Sequence, residues 1–222
     1  MEEHRLIGKR IQGLREMVLK MGNDARASVE KAMQSIVERD SDLAAEVIAY
    51  DDVIDRQELE IDRELIEIFA LLQPAARDLR FVIAVAKINP ILERMADHCV
   101  NIANAAIELN HEPQLAEYVD LPKMAARASD MLKQAIDAFT QEDSTLARRV
   151  IALDKDIDAL YQKVVRELVE YMRTEPASST RVLQLLFTAK HLERIGDYVK
   201  DICELTVYMI EAQFIRHAEN QS

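Results

Sequence analysis

Carboxylates four residues apart recur along this chain: Asp51 with Asp55, Glu93 with Asp97, Asp154 with Asp158, and Glu193 with Asp197. At about 100° per residue, side chains at i and i+4 of a helix stand about 40° apart, so each pair offers neighbouring oxygens on one face. Glu58 and Asp62 prolong the Asp51 stripe, which lies about 70° from the apolar stripe of Val47, Ile54, Ile61 and Leu65 and therefore flanks a core. Asn101 prolongs the Glu93 line, and Asp201 the Glu193 line. Like charges at this spacing repel, so stacking them on two adjacent helices calls for an offset from basic side chains or a bound cation. Oxygen-only donors suit magnesium, manganese, iron(II) or calcium, whereas zinc or copper usually recruits His or Cys. Arg94 and Arg194, each following the glutamate of its pair, are the internal alternative to a metal. A lone Asp-x-x-x-Asp is most often a solvated polar face. Its recurrence at equivalent places sets the ion-binding reading beside that one. Glu58 and Asp62 are weaker candidates, because Tyr161 and Val165 stand at their counterparts.

Other chemistries have less support. A carboxylate-bridged di-iron oxidoreductase needs paired Glu-x-x-His motifs on core-facing helices. The only match, Glu108 to His111, falls at a helix end. His98 beside Asp97 and His191 near Glu193 are candidates for phosphotransfer, but lone helical histidines are usually surface or packing residues. With four glycines in the chain there is neither a Gly-x-x-x-x-Gly-Lys loop nor a Gly-x-Gly-x-x-Gly turn. No Ser/His/Asp or Cys/His grouping suggests a nucleophile. The residues point to a binding regulator and not an enzyme, with a passive helical scaffold as the remaining alternative.

Helices must position these carboxylates. Apolar residues at helical spacing run from Leu6 to Val37, Leu43 to Leu72 and Leu79 to Leu109. Asp40-Ser41 offers capping oxygens, and Gln73-Pro74 breaks the chain. After a connector holding His111, Pro113 and Pro122, helices are predicted near 122–139, 144–172 and 178 to about 215. A shift of 103 positions lays Asp40-Ser41-Asp42-Leu43-Ala44 over Asp143-Ser144-Thr145-Leu146-Ala147, and Arg63-Glu64-Leu65-Ile66-Glu67 over Arg166-Glu167-Leu168-Val169-Glu170. A three-residue shortening then superposes Leu92-Glu93-Arg94 and Asp97 on Leu192-Glu193-Arg194 and Asp197. The expected fold is all-α, a tandem repeat of two antiparallel three-helix bundles with six helices. The expected bounds are a first bundle over 1–110, a connector over 111–121, a second bundle over 122–217 and a polar tail over 218–222. Gly196 inside a helix costs about 1 kcal/mol against alanine, which suggests close helix approach there.

Composition agrees. The 222 residues are 49% hydrophobic, enough for a sizeable core, and they include five prolines and no tryptophan. A net charge of −12 would repel a nucleic-acid backbone or an anionic bilayer. No apolar run approaches the roughly eighteen residues needed to span a bilayer, and the charged first ten residues make a poor secretory signal. Membrane association is therefore expected only through a partner. Cys99 and Cys203, in apolar helical segments without metal-site spacing, read as reduced buried thiols of a cytoplasmic protein.

The strings Ala76-Arg77-Asp78-Leu79-Arg80, Leu92-Glu93-Arg94-Met95-Ala96-Asp97-His98 and Leu192-Glu193-Arg194-Ile195-Gly196-Asp197, set in this repeat, strongly resemble the PhoU family of regulators of bacterial phosphate-specific transport. The resemblance runs from about residue 10 to residue 215. It implies a cytoplasmic adaptor, often a homodimer, that works with the ATPase subunit of a phosphate ABC importer and a membrane sensor histidine kinase. In some members the Glu/Asp-x-x-x-Asp motifs hold metal clusters on the bundle surface. The matching positions are Asp51, Asp55, Glu93, Asp97, Asp154, Asp158, Glu193 and Asp197. Tyr198 stands opposite His98, and Ser178-Ser179-Thr180-Arg181 replaces Arg77-Asp78-Leu79-Arg80, so the halves are expected to bind partners or metal unequally.

Overall fold

The computed structural model describes residues 2–115, 120–213 and 215, with side chains from residue 5 onward. Residues 116–119 of the expected connector and the tail 218–222 lie outside the described residues. Six helices follow in order: α1 (Glu2–Val37), α2 (Ser41–Leu72), α3 (Ala76–Asn110), α4 (Asp120–Gln141), α5 (Ser144–Thr174) and α6 (Ser179–Glu211). A single 3-10 turn, Pro176–Ser178, leads into α6, and no strand occurs among the described residues. The all-helical repeat read from the sequence is the fold.

The turns carry the repeat down to atomic detail. Asp40 and Asp143 cap α2 and α5 alike, each carboxylate accepting the N–H of Leu43 or Leu146 at 2.9 Å. The residue before each cap is left-handed, Arg39 at φ 56° and Glu142 at φ 54°, which costs a non-glycine residue roughly 1–2 kcal/mol. Both are held by long-range partners. Arg39 Nη2 donates to the carbonyls of Asn110 at 2.8 Å and Glu112 at 2.6 Å. Glu142 accepts from Arg15 at 2.7 Å and also pairs with Arg77.

Helix ends depart from the sequence expectation by a turn or less. The last helix stops at Glu211 instead of near Ile215, because Ala212 enters the left-handed region at φ 58°. The fourth starts at Asp120, two residues before Pro122. Proline is tolerated in a first turn, where its missing N–H would have no helical partner.

Within each half the three helices pack on one another, and the halves join side by side through α1 against α4 and α3 against α6. Among the described residues, the outer helices α2 and α5 pack only against helices of their own half, apart from the 3-10 turn beside α5. Both seams are antiparallel. Arg15 donates to the carbonyls of Phe139 at 3.1 Å and Thr140 at 3.0 Å, while Ser129 meets Glu30 at 2.6 Å. On the other seam Arg80 reaches the Met209 carbonyl at 3.1 Å. Gly22 allows α1 to approach α4, since a Cβ there would fall 2.5 Å from Ile136 Cδ1. The core is continuous through both halves, and Cys99 and Cys203 are free thiols buried within it.

Candidate metal centre

Packing decides where the carboxylates point. Ile54 and Ile61 fix one side of α2 on the core, and Leu92, Met95 and Cys99 do the same for α3, all fully buried. The acidic stripes consequently emerge beside the α2–α3 contact. Their charges register across it. Asp51 is pushed up to about 6 by burial and then by Asp55, Asp97 and Asp52. Glu93 is pushed up to about 7 by burial and then by Asp97, Glu58, Asp55 and Asp51. Glu58 also rises, through burial and then Asp62 and Asp55, with Arg94 pulling the other way. Buried Asn89 ties α3 to α2 nearby, donating to Asp62 at 2.9 Å and to the Glu58 carbonyl at 3.0 Å. The structure thus brings Asp51, Asp55, Glu93 and Asp97 into one electrostatic neighbourhood.

The second half assembles the same carboxylates with different companions. Asp154 is only 6% exposed, and Lys200 Nζ stands 3.2 Å from its Oδ2. Lys190 pairs with Glu193 at 2.6 Å and lies over the Tyr161 ring at 5.4 Å. Arg194 pairs with Asp197 at 3.2 Å. Burial still lifts Asp154 above the usual carboxylate range, against the pull of Lys200. Asp158 is lifted by burial, Asp197 and Glu193, with Lys200 and Lys190 opposing. Gly196 serves the close approach that its position suggested: a Cβ there would stand 3.0 Å from Ile157 Cδ1 and 3.7 Å from Asp154 Oδ1.

Among the described residues, no three His, Cys, Asp or Glu side chains converge tightly enough to hold an ion in the rotamers seen. Donor chemistry nevertheless separates the two clusters. The first offers oxygens alone, and Asp51, Asp55, Glu93 and Asp97 have no lysine or arginine ion pair among the described residues. That set fits a hard cation. The second is already offset by ammonium and guanidinium groups of its own chain.

A family model described as the PhoU domain matches the chain twice, over residues 18–106 and 121–206. The chain belongs to the PhoU family. Each PhoU domain spans one half of the repeat and carries one carboxylate cluster. The chain is 36% identical over 208 residues to the Pseudomonas aeruginosa protein named phosphate-specific transport system accessory protein PhoU homolog, covering 93% of this chain and 86% of that one. It is 37% identical over 209 residues to the homolog of Aquifex aeolicus, covering 94% and 95%. It is 34% identical over 210 residues to the Escherichia coli accessory protein PhoU, covering 93% and 86%. Among solved structures, PhoU from Pseudomonas aeruginosa superposes with a TM-score of 0.90 at 35% identity, covering 93% of this chain and 99% of that one. The phosphate transport system regulatory protein PhoU from Streptococcus pneumoniae gives 0.88 at 30% identity, covering 94% and 99%.

Two features of this PhoU-family chain escape the sequence reading. The first is the pair of basic partners in the second cluster, Lys190 and Lys200, although the repeat sets Pro90 and Val100 opposite them. The second is the meeting of the two histidines, separate phosphotransfer candidates in the sequence, across the α3–α6 seam with Nδ1 atoms 2.8 Å apart. Tyr198 stacks on His98 with ring centroids 5.5 Å apart. Burial, His191 and Arg194 pull His98 down to about 4, so its ring is neutral at physiological pH. Each Nδ1 is engaged by the other ring, which removes those nitrogens as exposed nucleophiles. No sequence signal fixes that meeting, since it depends on the register of two helices whose histidines lie 93 residues apart.

Proposed function

We propose that this chain regulates phosphate uptake and phosphate-responsive signalling by binding partners, without turnover. The observation that carries the reading is the doubled PhoU domain, shared over most of the chain with relatives named accessory proteins of the phosphate-specific transport system. Its partners are the ATPase subunit of a phosphate ABC importer and the sensor histidine kinase of the phosphate response. It works in the cytoplasm as a homodimer and reaches the membrane through those partners. No helix among the described residues is long and apolar enough to cross a membrane. A regulator of this kind must bind two states of a partner with different affinity, because equal affinity shifts nothing.

A hard cation, magnesium, manganese, iron or calcium, held by Asp51, Asp55, Glu93 and Asp97, neutralises the α2–α3 face and tunes its contacts. The di-iron alternative loses ground because Glu108 and His111 sit exposed at the end of α3 and not on a core-facing pair of helices. Deletion of the gene tests the regulatory reading. A phosphate-responsive reporter should lose its dependence on phosphate and regain it with the wild-type gene; a reporter that still follows phosphate in the deletion strain refutes the assignment.

A further inference from the structure

We propose that the duplicated carboxylate clusters have parted in kind: the α2–α3 cluster is kept for a cation, whereas the α5–α6 cluster is locked by the chain's own Lys200 and Lys190, with Arg194 alongside, and takes no metal. The first clause rests on the reading above, and the second rests on the ion pairs of the α5–α6 cluster. Lys200 Nζ stands 3.2 Å from Asp154, Lys190 Nζ 2.6 Å from Glu193, and an Arg194 nitrogen 3.2 Å from Asp197. Three of the four carboxylates that would ligate an ion already hold a positive group. The fourth, Asp158, feels both lysines.

The repeat supplies the internal control. Val100 and Pro90 occupy the positions of Lys200 and Lys190 in the first half, so neither tethered ammonium exists there. Arg94 does correspond to Arg194, but it acts on Glu58 and forms no ion pair with Asp97 among the described residues. The polar surroundings have diverged as well. Glu58, Asp62 and the buried Asn89 of the first half are matched by Tyr161, Val165 and Ala189. Tyr161 forms part of the lock, its ring lying under Lys190.

A divalent ion entering the second cluster would have to expel two ammonium groups, one of them from a carboxylate that is 6% exposed. Stripping partners from a buried carboxylate is strongly unfavourable, and placing a dication beside retained ammonium groups is unfavourable by repulsion. A tethered lysine is also present at every metal concentration. Metal supply would then alter the α2–α3 face and leave the α5–α6 face unchanged, giving a two-lobed molecule one variable surface and one constant surface.

Manganese(II) titration of the purified full chain, read by loss of the free-ion electron paramagnetic resonance signal, tests this. Binding should vanish in the first-half double variant Asp51→Asn/Asp97→Asn and persist in the second-half double variant Glu193→Gln/Asp197→Asn. Replacing both lysines, Lys190→Ala/Lys200→Val, should open the second cluster and add a class of bound manganese, while Lys190→Arg/Lys200→Arg should add none. Circular dichroism confirms that each variant is folded. Loss of wild-type manganese in Glu193→Gln/Asp197→Asn overturns the proposal, as does failure of Lys190→Ala/Lys200→Val to add binding. If wild-type protein binds no manganese, the cation reading of the first half fails, and the lysine-free variant still decides whether the lock exists.

Discussion

At Asp51 and Glu93 the fold holds a proton that water would remove. Their pKa values rise from 3.8 and 4.5 to about 6 and about 7. Between those limits the folded chain binds more protons than the unfolded one, so stability is present at the acid end and lost as pH rises from about 4 through about 7. In metal-free protein the melting temperature is therefore expected to fall across that window, and Asp51→Asn/Glu93→Gln should flatten the decline. Thermal unfolding at several pH values checks this; an unchanged slope in the double variant would contradict it. His98 has the opposite sign. Its pKa drops from 6.5 to about 4, so stability is lost as pH falls from 6.5 towards 4, when the unfolded chain gains a proton that the folded ring refuses. His98→Gln should reduce that acid-side loss, measured in the same melts.

The helices show which parts of this arrangement a sequence can specify and which it cannot. Periodicity locates all six, and the repeated Asp-Ser start marks the caps of α2 and α5. Asp40→Ala and Asp143→Ala should each cost about 1 kcal/mol, lowering the melting temperature by roughly 2–4 °C apiece for a chain of this size. The two sites are distant, so the double variant should show nearly the sum; a marked shortfall would mean that the caps are coupled. The left-handed Arg39 and Glu142 are not legible, because neither is a residue type that favours that conformation and each is held by partners from distant segments. The carboxylate clusters are legible because i, i+4 spacing and duplication are local signals. Their different offsets are legible only in part: Lys190 pairs with Glu193 three residues on in the same helix, whereas Lys200 meets Asp154, and Lys190 the Tyr161 ring, only when α5 and α6 are set side by side.

For the molecule as a whole, the seams α1–α4 and α3–α6 turn two bundles into one body with a shared core. Gly22 tests that union without touching a carboxylate. Gly22→Leu would drive into Ile136 and overpack the seam at a cost of roughly 1–3 kcal/mol. At Gly13 a Cβ would meet nothing within 4 Å, so Gly13→Ala should instead gain up to about 1 kcal/mol through helix propensity. Chemical denaturation of the two variants should move in opposite directions, and equal shifts would contradict the close α1–α4 approach. Side-by-side packing also leaves α2 and α5 on separate flanks, so the faces that carry the two carboxylate clusters can meet different partners.

The most direct test of the account is the binding of purified protein to the importer's ATPase subunit, measured with manganese present, with chelator added, and for the Asp51→Asn/Asp97→Asn variant. Chelation and the variant should weaken binding to the same extent, with no further loss when the two are combined. Binding that is unchanged by both would contradict a cation-tuned regulatory surface.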